Sequence, residues 1–271
     1  MNEAHTVHEE VAQSYTRAVS GEPAGACCAP GKPKGVLARM AGYHQGELAS
    51  LPADVVSNSF GCGNPLAFSE VRPGQVVLDL GSGAGIDLLI AAGRVGPAGR
   101  VIGVDMTDAM IEKARANIAA AGLAHVEVRK GLIESLPVES ASVDWVISNC
   151  VINLSPGKPR VFAEIARVLK PGGRMRVSDV MVRDLPTAVR DNKSLYGCCV
   201  AGAIGEEAYL SGLRAAGLVD VEIRERVVYD AGQLRALAGS SLPGKELDAD
   251  LLASLAGKVC SAVVCARKPG G

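Results

Sequence analysis

The stretch VVLDLGSGAGIDLL, residues 76–89, constrains this chain more than any other. A short apolar run ends in Gly81-Ser82-Gly83-Ala84-Gly85 and passes directly into a helical pattern, which predicts a strand, a glycine loop and a helix. Glycines in such a loop let the backbone approach a ligand, and the helix N-terminus behind them favours a negative group. Ile86 stands where the third glycine of a GxGxxG dinucleotide loop would be. That departure argues against a pyrophosphate. The smaller amino-acid end of S-adenosylmethionine fits better, with its carboxylate at the amides of Gly81, Ser82, Gly83 and Gly85.

Further along, RVIGVD at 100–105 predicts a second strand ending in Asp105, 22 positions beyond Gly83. A carboxylate about 20 residues past a glycine loop suits a ribose diol, because it can accept from both hydroxyls. Glu134, after a third strand at 126–131, is expected at the adenine edge. Asp79, Met106, Ile133 and Asn149 complete the expected cofactor site. Strands at 143–149 and 174–180 and helices at 107–122 and 160–169 continue the alternation, which implies a parallel sheet covered on both faces. Across about residues 70–180 this ordered set resembles the class I S-adenosylmethionine-dependent methyltransferases. The resemblance implies a Rossmann-like, mostly parallel α/β sheet, with S-adenosylhomocysteine as the spent cofactor.

Outside that block, 6–19 reads as a helix, with Thr6 and Glu9 as a capping box and Val7, Val11, Tyr15 and Val19 about one turn apart. A Pro/Gly/Ala-rich linker at 21–35 follows. The expected organisation is 1–45 as N-terminal helix and cysteine-bearing linker, and 46–182 as the cofactor domain. Residues 183–271 would be a substrate-binding segment with helical material at 183–217 and closing strands at 219–229 and 258–268. With 28 Lys+Arg against 29 Asp+Glu and 3% aromatics, the chain offers no electrostatic footprint or stacking platform for nucleic acid, and none for an anionic membrane. No signal peptide pattern opens it and no apolar run approaches the roughly 18 residues of a membrane span, so a cytoplasmic setting with reduced thiols is expected.

Reduced thiols matter because there are eight cysteines, without CxxC pairs and without histidines at metal-ligand spacing, so no metal site other than a thiolate one is expected. Three stand out by position. Cys150 lies just past the fourth strand, at the carboxyl end of the sheet where α/β folds bind ligands. Cys62 sits in the loop GCGNP, and Cys199 in YGCCVAGAI after the fifth strand. Each alone could be a small buried hydrophobe; convergence on one cleft would mean more. Cys198 is expected to pack beside its neighbour, and Cys260 and Cys265, five apart on a strand, to be structural. Tyr43 could cover the cofactor or belong to the core. Asn149 and Asn153 could cap a loop or touch the cofactor, and Asp87 is expected to complement the helix dipole.

FGCGNP, VVLDLGSGAGID, GLIESLP, SNCVINL, RVLKPGGR and CVAGAI stand in the order found in the arsenite methyltransferases, and the chain resembles that family from about Tyr43 to the last strand. The resemblance implies methylation of trivalent arsenic, as arsenite or methylarsenite, held by three thiolates that map onto Cys62, Cys150 and Cys199. The pair Cys27 and Cys28 resembles the family's cysteine-bearing N-terminal segment and would deliver arsenic or resolve a disulfide with Cys62, with thioredoxin or glutathione restoring the thiols, or else be two solvated linker thiols. Thiophilic arsenic suits soft sulfur ligands, and its own lone pair can attack the methyl group, so no general base is required. A methyltransferase for a quinone- or sterol-like acceptor would use the same fold but gives no reason for cysteines at both 62 and 150. A thiol-based arsenic sensor would bind without turnover.

Overall fold

The computed structural model describes residues 3–20, 43, 46, 51–57, 63–66, 70–185, 187–190, 199–234 and 253–270. Its described strands are β1 Val76–Leu80, β2 Arg100–Asp105, β3 Val126–Lys130, β4 Val143–Asn149, β5 Leu169–Val182, β6 Val219–Val228 and β7 Val259–Arg267. They form one sheet in the order β3-β2-β1-β4-β5-β7-β6, parallel from β3 through β5 and antiparallel at β7. The order reverses beside β1, between β2 and β4, and that is the switch point where a ligand crevice opens in such sheets.

Alternation along β1 sends Leu78 and Leu80 to one face and Val77 to the other, and each meets its own helices. Leu78 and Leu80 share a cluster with Phe162 and Ile165 of a helix Lys158–Val168 and with Tyr209 and Leu213 of a helix Glu206–Ala215. Val77 packs with Leu88 of a helix Ile86–Val95 and with Ile111 of a helix Asp108–Ala120. In chain order the helices are α1 Glu3–Ser20, α2 Ile86–Val95, α3 Asp108–Ala120, α4 Lys158–Val168 and α5 Glu206–Ala215; short turns of helix at Ala53–Ser57 and Thr187–Arg190 are unnumbered. Both faces of β1 are dry, which is why its sequence is almost continuously apolar.

The structure departs from the sequence expectations at several ends. Helix α1 begins at Glu3, so Thr6 and Glu9 lie inside it and do not form a capping box. Thr107 precedes α3 without a side-chain cap bond; its amide is held by Asp105 Oδ1 at 2.8 Å instead. The fifth strand starts at Leu169 and runs through KPGG, where Gly172 takes φ +76° and the pairing with β4 shifts between Val143 and Trp145. Most of the helical segment expected at 231–256 lies outside the described residues, as do Cys27, Cys28, Cys62 and Cys198. Among the described residues no helix is long and apolar enough to cross a membrane.

Candidate functional site

A cleft opens at the carboxyl ends of β1, β2 and β4. Of the residues expected to hold a cofactor, Gly81, Ser82, Gly83, Asp105, Met106, Ile133, Glu134 and Asn149 all line it, and Cys150 lines it too. The glycine loop turns because Gly81, Gly83 and Gly85 take φ of +65°, +51° and +97°, values that cost any side chain. Gly81 also presses on Val151, whose Cγ2 would stand 2.3 Å from an added Cβ, whereas nothing lies within 4 Å of a Cβ at Gly83. The open side of the loop faces the cleft.

Asp105 braces this loop. Its Oδ2 accepts from the Gly83 amide at 2.9 Å and its Oδ1 from Thr107. Burial pushes its carboxyl up, and these backbone amides pull it back. The Met106 amide and the Thr107 hydroxyl reach this carboxylate as well. Asp79 and Gly85 are not on the cleft wall: Asp79 is buried in β1, and Gly85 forms the N-cap of α2. Burial, then the charges of Asp87 and Asp105, hold the Asp79 carboxyl well above the usual range. The amides of the loop are engaged within the fold, Gly81 and Ser82 with the Val104 carbonyl, Gly83 with Asp105 and Gly85 with the Ser82 carbonyl, so the carboxylate site expected at these amides is not open in this structure.

Asp87 does more than complement the helix dipole. Both its oxygens accept from the Tyr43 hydroxyl, at 2.9 and 3.0 Å, and burial followed by the Asp87 charge raises that phenol well above its usual pKa. Tyr43 in turn accepts from Asn149 Nδ2 at 3.0 Å. The Asn149 side chain also clasps Gly63, accepting from its amide at 3.1 Å and donating to its carbonyl. Gly63 follows Cys62 in the chain and Asn149 precedes Cys150.

Cys150 and Cys199, 49 residues apart, meet at this end of the sheet: the Cys199 thiol donates to the Cys150 carbonyl at 2.7 Å. Both are buried, and both hold left-handed backbones, φ +60° and +62°, a conformation rare outside glycine and concentrated at functional sites. Cys150 is disulfide-bonded. Cys260 and Cys265 lie on β7, half-buried, away from the cleft, and burial raises both thiols.

Two features escaped the sequence. Helix α1 lies against the cleft, with His8, Val11 and Tyr15 on its wall, and His8 Nε2 bonds Glu134 Oε1 at 2.9 Å. The helical stripe was legible, but nothing in it named its target. The second is a buried polar network behind Cys150. Asn153 Nδ2 donates to Asp179 Oδ1 at 2.7 Å, the Tyr209 hydroxyl donates to Asp179 Oδ2 at 3.3 Å, and Lys158 Nζ donates to the carbonyls of Asn153 and Ser155. Burial lifts the Asp179 carboxyl to about 7 and lowers Lys158, so burial outweighs their mutual attraction.

S-adenosylmethionine, implied by the fold, passes a test of fit. Ser82 Oγ and Glu134 Oε2 are buried without a hydrogen-bond partner among the described residues. A ligand bearing hydroxyls, amines and net positive charge would satisfy both and suit the carboxylates behind the loop.

A family model described as a methyltransferase domain matches residues 72–217. An arsenite methyltransferase of Halobacterium salinarum is 49% identical over 207 residues, 76% of this chain and 52% of that protein. One from Aquipseudomonas alcaligenes is 35% identical over 230 residues, 81% of this chain and 64% of that protein. The chain thus spans between about half and two thirds of the length of these curated relatives. The crystal structure of an arsenic(III) S-adenosylmethionine methyltransferase from Chlamydomonas reinhardtii superposes with a TM-score of 0.68 at 36% identity, covering 83% of this chain and 73% of that one. On its fold, its glycine loop and these relatives, the chain belongs to the arsenite methyltransferase family of class I methyltransferases.

Proposed function

We propose that this chain methylates trivalent arsenic, with Cys62, Cys150 and Cys199 as the thiolate ligands and the cleft beside them holding S-adenosylmethionine. The observation that carries the reading is the contact between Cys150, on the wall of the cofactor cleft, and Cys199, whose thiol lies 2.7 Å from the Cys150 carbonyl. The disulfide at Cys150 supports a third sulfur there. The clasp between Asn149 and Gly63 supports Cys62 as a contributor, because it ties the residue after Cys62 to the residue before Cys150.

Bound in the cleft, S-adenosylmethionine supplies an electrophilic methyl group on a sulfonium sulfur. The chain's part is to hold and orient. The turn at Gly83, open on its outer side, gives the ligand room, Ser82 offers its unpaired hydroxyl, Asp105 a carboxylate for the ribose, and Glu134 Oε2 an acceptor for the base. Three thiolates bind arsenic as a pyramid with its lone pair uncovered, so the substrate is its own nucleophile. With S-adenosylmethionine held there, attack would form the As–C bond, break the S–C bond and leave both electrons of that bond on the cofactor sulfur. Arsenic is thereby oxidised by two electrons. Two of the thiolates can return them by forming a disulfide, which thioredoxin or glutathione in a reducing cytoplasm would reopen. Cys27 and Cys28 are proposed to deliver arsenic or relay this exchange.

The test is turnover of arsenite with S-adenosylmethionine and glutathione, with methylarsenicals separated by chromatography and measured by elemental detection. Single serine replacements of Cys62, Cys150 and Cys199 should each abolish the first methylation while S-adenosylhomocysteine still binds. Full activity in any one of them would remove that residue from the ligand set. Wild-type protein that binds arsenite without consuming cofactor would instead be a sensor.

A further inference from the structure

The N-terminal helix is not needed to build the sheet, yet it supplies part of the cleft wall. His8, Val11 and Tyr15 fall at i, i+3 and i+7, one face of α1, and all three line the cleft. Val11 is 3% exposed and packs in the cluster that contains Cys150 and Leu154. Apolar contact therefore docks the helix, and His8 is the polar group it brings. Its partner, Glu134, follows β3 on a different part of the chain.

The hydrogen bonds of Glu134 are one-sided. His8 Nε2 and the Ser155 hydroxyl both donate to Oε1, and Oε2 is buried with no partner among the described residues. Two donors from separate elements fix the carboxylate's rotation, and a buried carboxylate oxygen left unpaired is costly. Ser155 is itself held by Lys158, which donates to its carbonyl at 2.9 Å. His8 joins this arrangement from a separate element, α1.

We propose that His8 is a positioning residue for cofactor recognition: by occupying Glu134 Oε1 it reserves Oε2 for the exocyclic amino group of adenine. This rests on the cofactor reading above. A base with a carbonyl in place of that amine would set an acceptor against Oε2, and the site would reject it. Without His8 the carboxylate can turn, and the rejection weakens.

The experiment is equilibrium binding, by calorimetry, of S-adenosylhomocysteine and S-inosylhomocysteine to wild type, His8→Ala and His8→Gln. Wild type should prefer the adenosyl ligand by about 100-fold, as expected where a buried polar group would be left unpaired. His8→Ala should lower that ratio by about tenfold, and His8→Gln, which keeps an N–H donor, should restore most of it. If His8→Ala weakens both ligands equally, or changes neither, His8 is only part of the wall and the proposal fails. Equal binding of the two ligands by wild type would also overturn it. Wild type that binds neither ligand would defeat the cofactor reading itself.

Discussion

The Asn149 side chain forms a two-way clasp with the backbone of Gly63, accepting from its amide and donating to its carbonyl. One side chain thus ties a loop adjoining Cys62 to the strand end that carries Cys150. Gly63 has no room to change: an added Cβ would lie 2.5 Å from both Cβ and Oγ of Ser178 on β5. Gly63→Ala should push the loop off β5 at a cost of about 1–3 kcal/mol. Arsenite binding should then fall far more than S-adenosylhomocysteine binding. Titrating both ligands checks this; a parallel loss of the two would mean that the clasp serves the cofactor site alone.

Two glycines of the same loop should respond to alanine differently, one mainly in stability and the other mainly in binding. At Gly81 the new Cβ meets Val151 at 2.3 Å on a backbone already at φ +65°. Gly81→Ala should therefore destabilise the protein by roughly 2–4 kcal/mol. At Gly83 there is no neighbour within 4 Å, so only the left-handed backbone is penalised, by about 1–2 kcal/mol. The Gly83 Cβ would stand in the open side of the loop, and cofactor binding should be the larger casualty. Denaturant melts combined with S-adenosylhomocysteine titrations separate the two. A Gly83→Ala protein with unaltered affinity would mean that the ligand does not approach the loop there.

The buried carboxyl of Asp179 gives stability a defined pH dependence. Its folded value of about 7 stands above the ordinary 3.8, chiefly through burial. Between these values the folded state keeps a proton that the unfolded chain has released. The contribution is full below 3.8 and is lost as pH rises through about 7. The span of about three pH units bounds the effect at roughly 4 kcal/mol. Asp179→Asn keeps an acceptor for Asn153 and for the Val180 amide, and it removes the titration. The gap in Tm between variant and wild type should shift in the variant's favour from pH 5 to pH 8. A constant gap would show that Asp179 is not the group responsible.

Strand and helix order was legible because β1 to β5 alternate with helices and both sheet faces are dry, so apolar runs mark the strands. The glycine loop and Asp105 were legible because the backbone there needs glycine and the strand ends there. Partnerships were not. An amphipathic stripe at Val7, Val11 and Tyr15 announces a buried face without saying that it closes over Glu134, 126 residues from His8. Asp87 reads as a helix-dipole residue until Tyr43, 44 positions earlier, is found donating to it. The network of Asn153, Lys158, Asp179 and Tyr209 is likewise assembled from α4, α5, β5 and the turn after β4, and no spacing reveals it.

The state of the cysteines makes the last prediction. Cys150 is held in a disulfide, whereas the Cys199 sulfur is a thiol that donates to the Cys150 carbonyl. Arsenic(III) binds thiolates and cannot use a sulfur already bonded to another sulfur. Protein in the disulfide form should bind arsenite at least about tenfold more weakly than protein reduced with a phosphine and desalted, the difference expected from losing the Cys150 thiolate. S-adenosylhomocysteine should bind both forms within about twofold, because Gly81, Gly83 and Asp105 hold their geometry through backbone bonds that no thiol enters. Arsenic-to-protein ratios after gel filtration, measured by elemental detection, give the first comparison, and calorimetry gives the second. Equal arsenite binding by both forms would exclude Cys150 as a ligand and leave Cys199 with other partners.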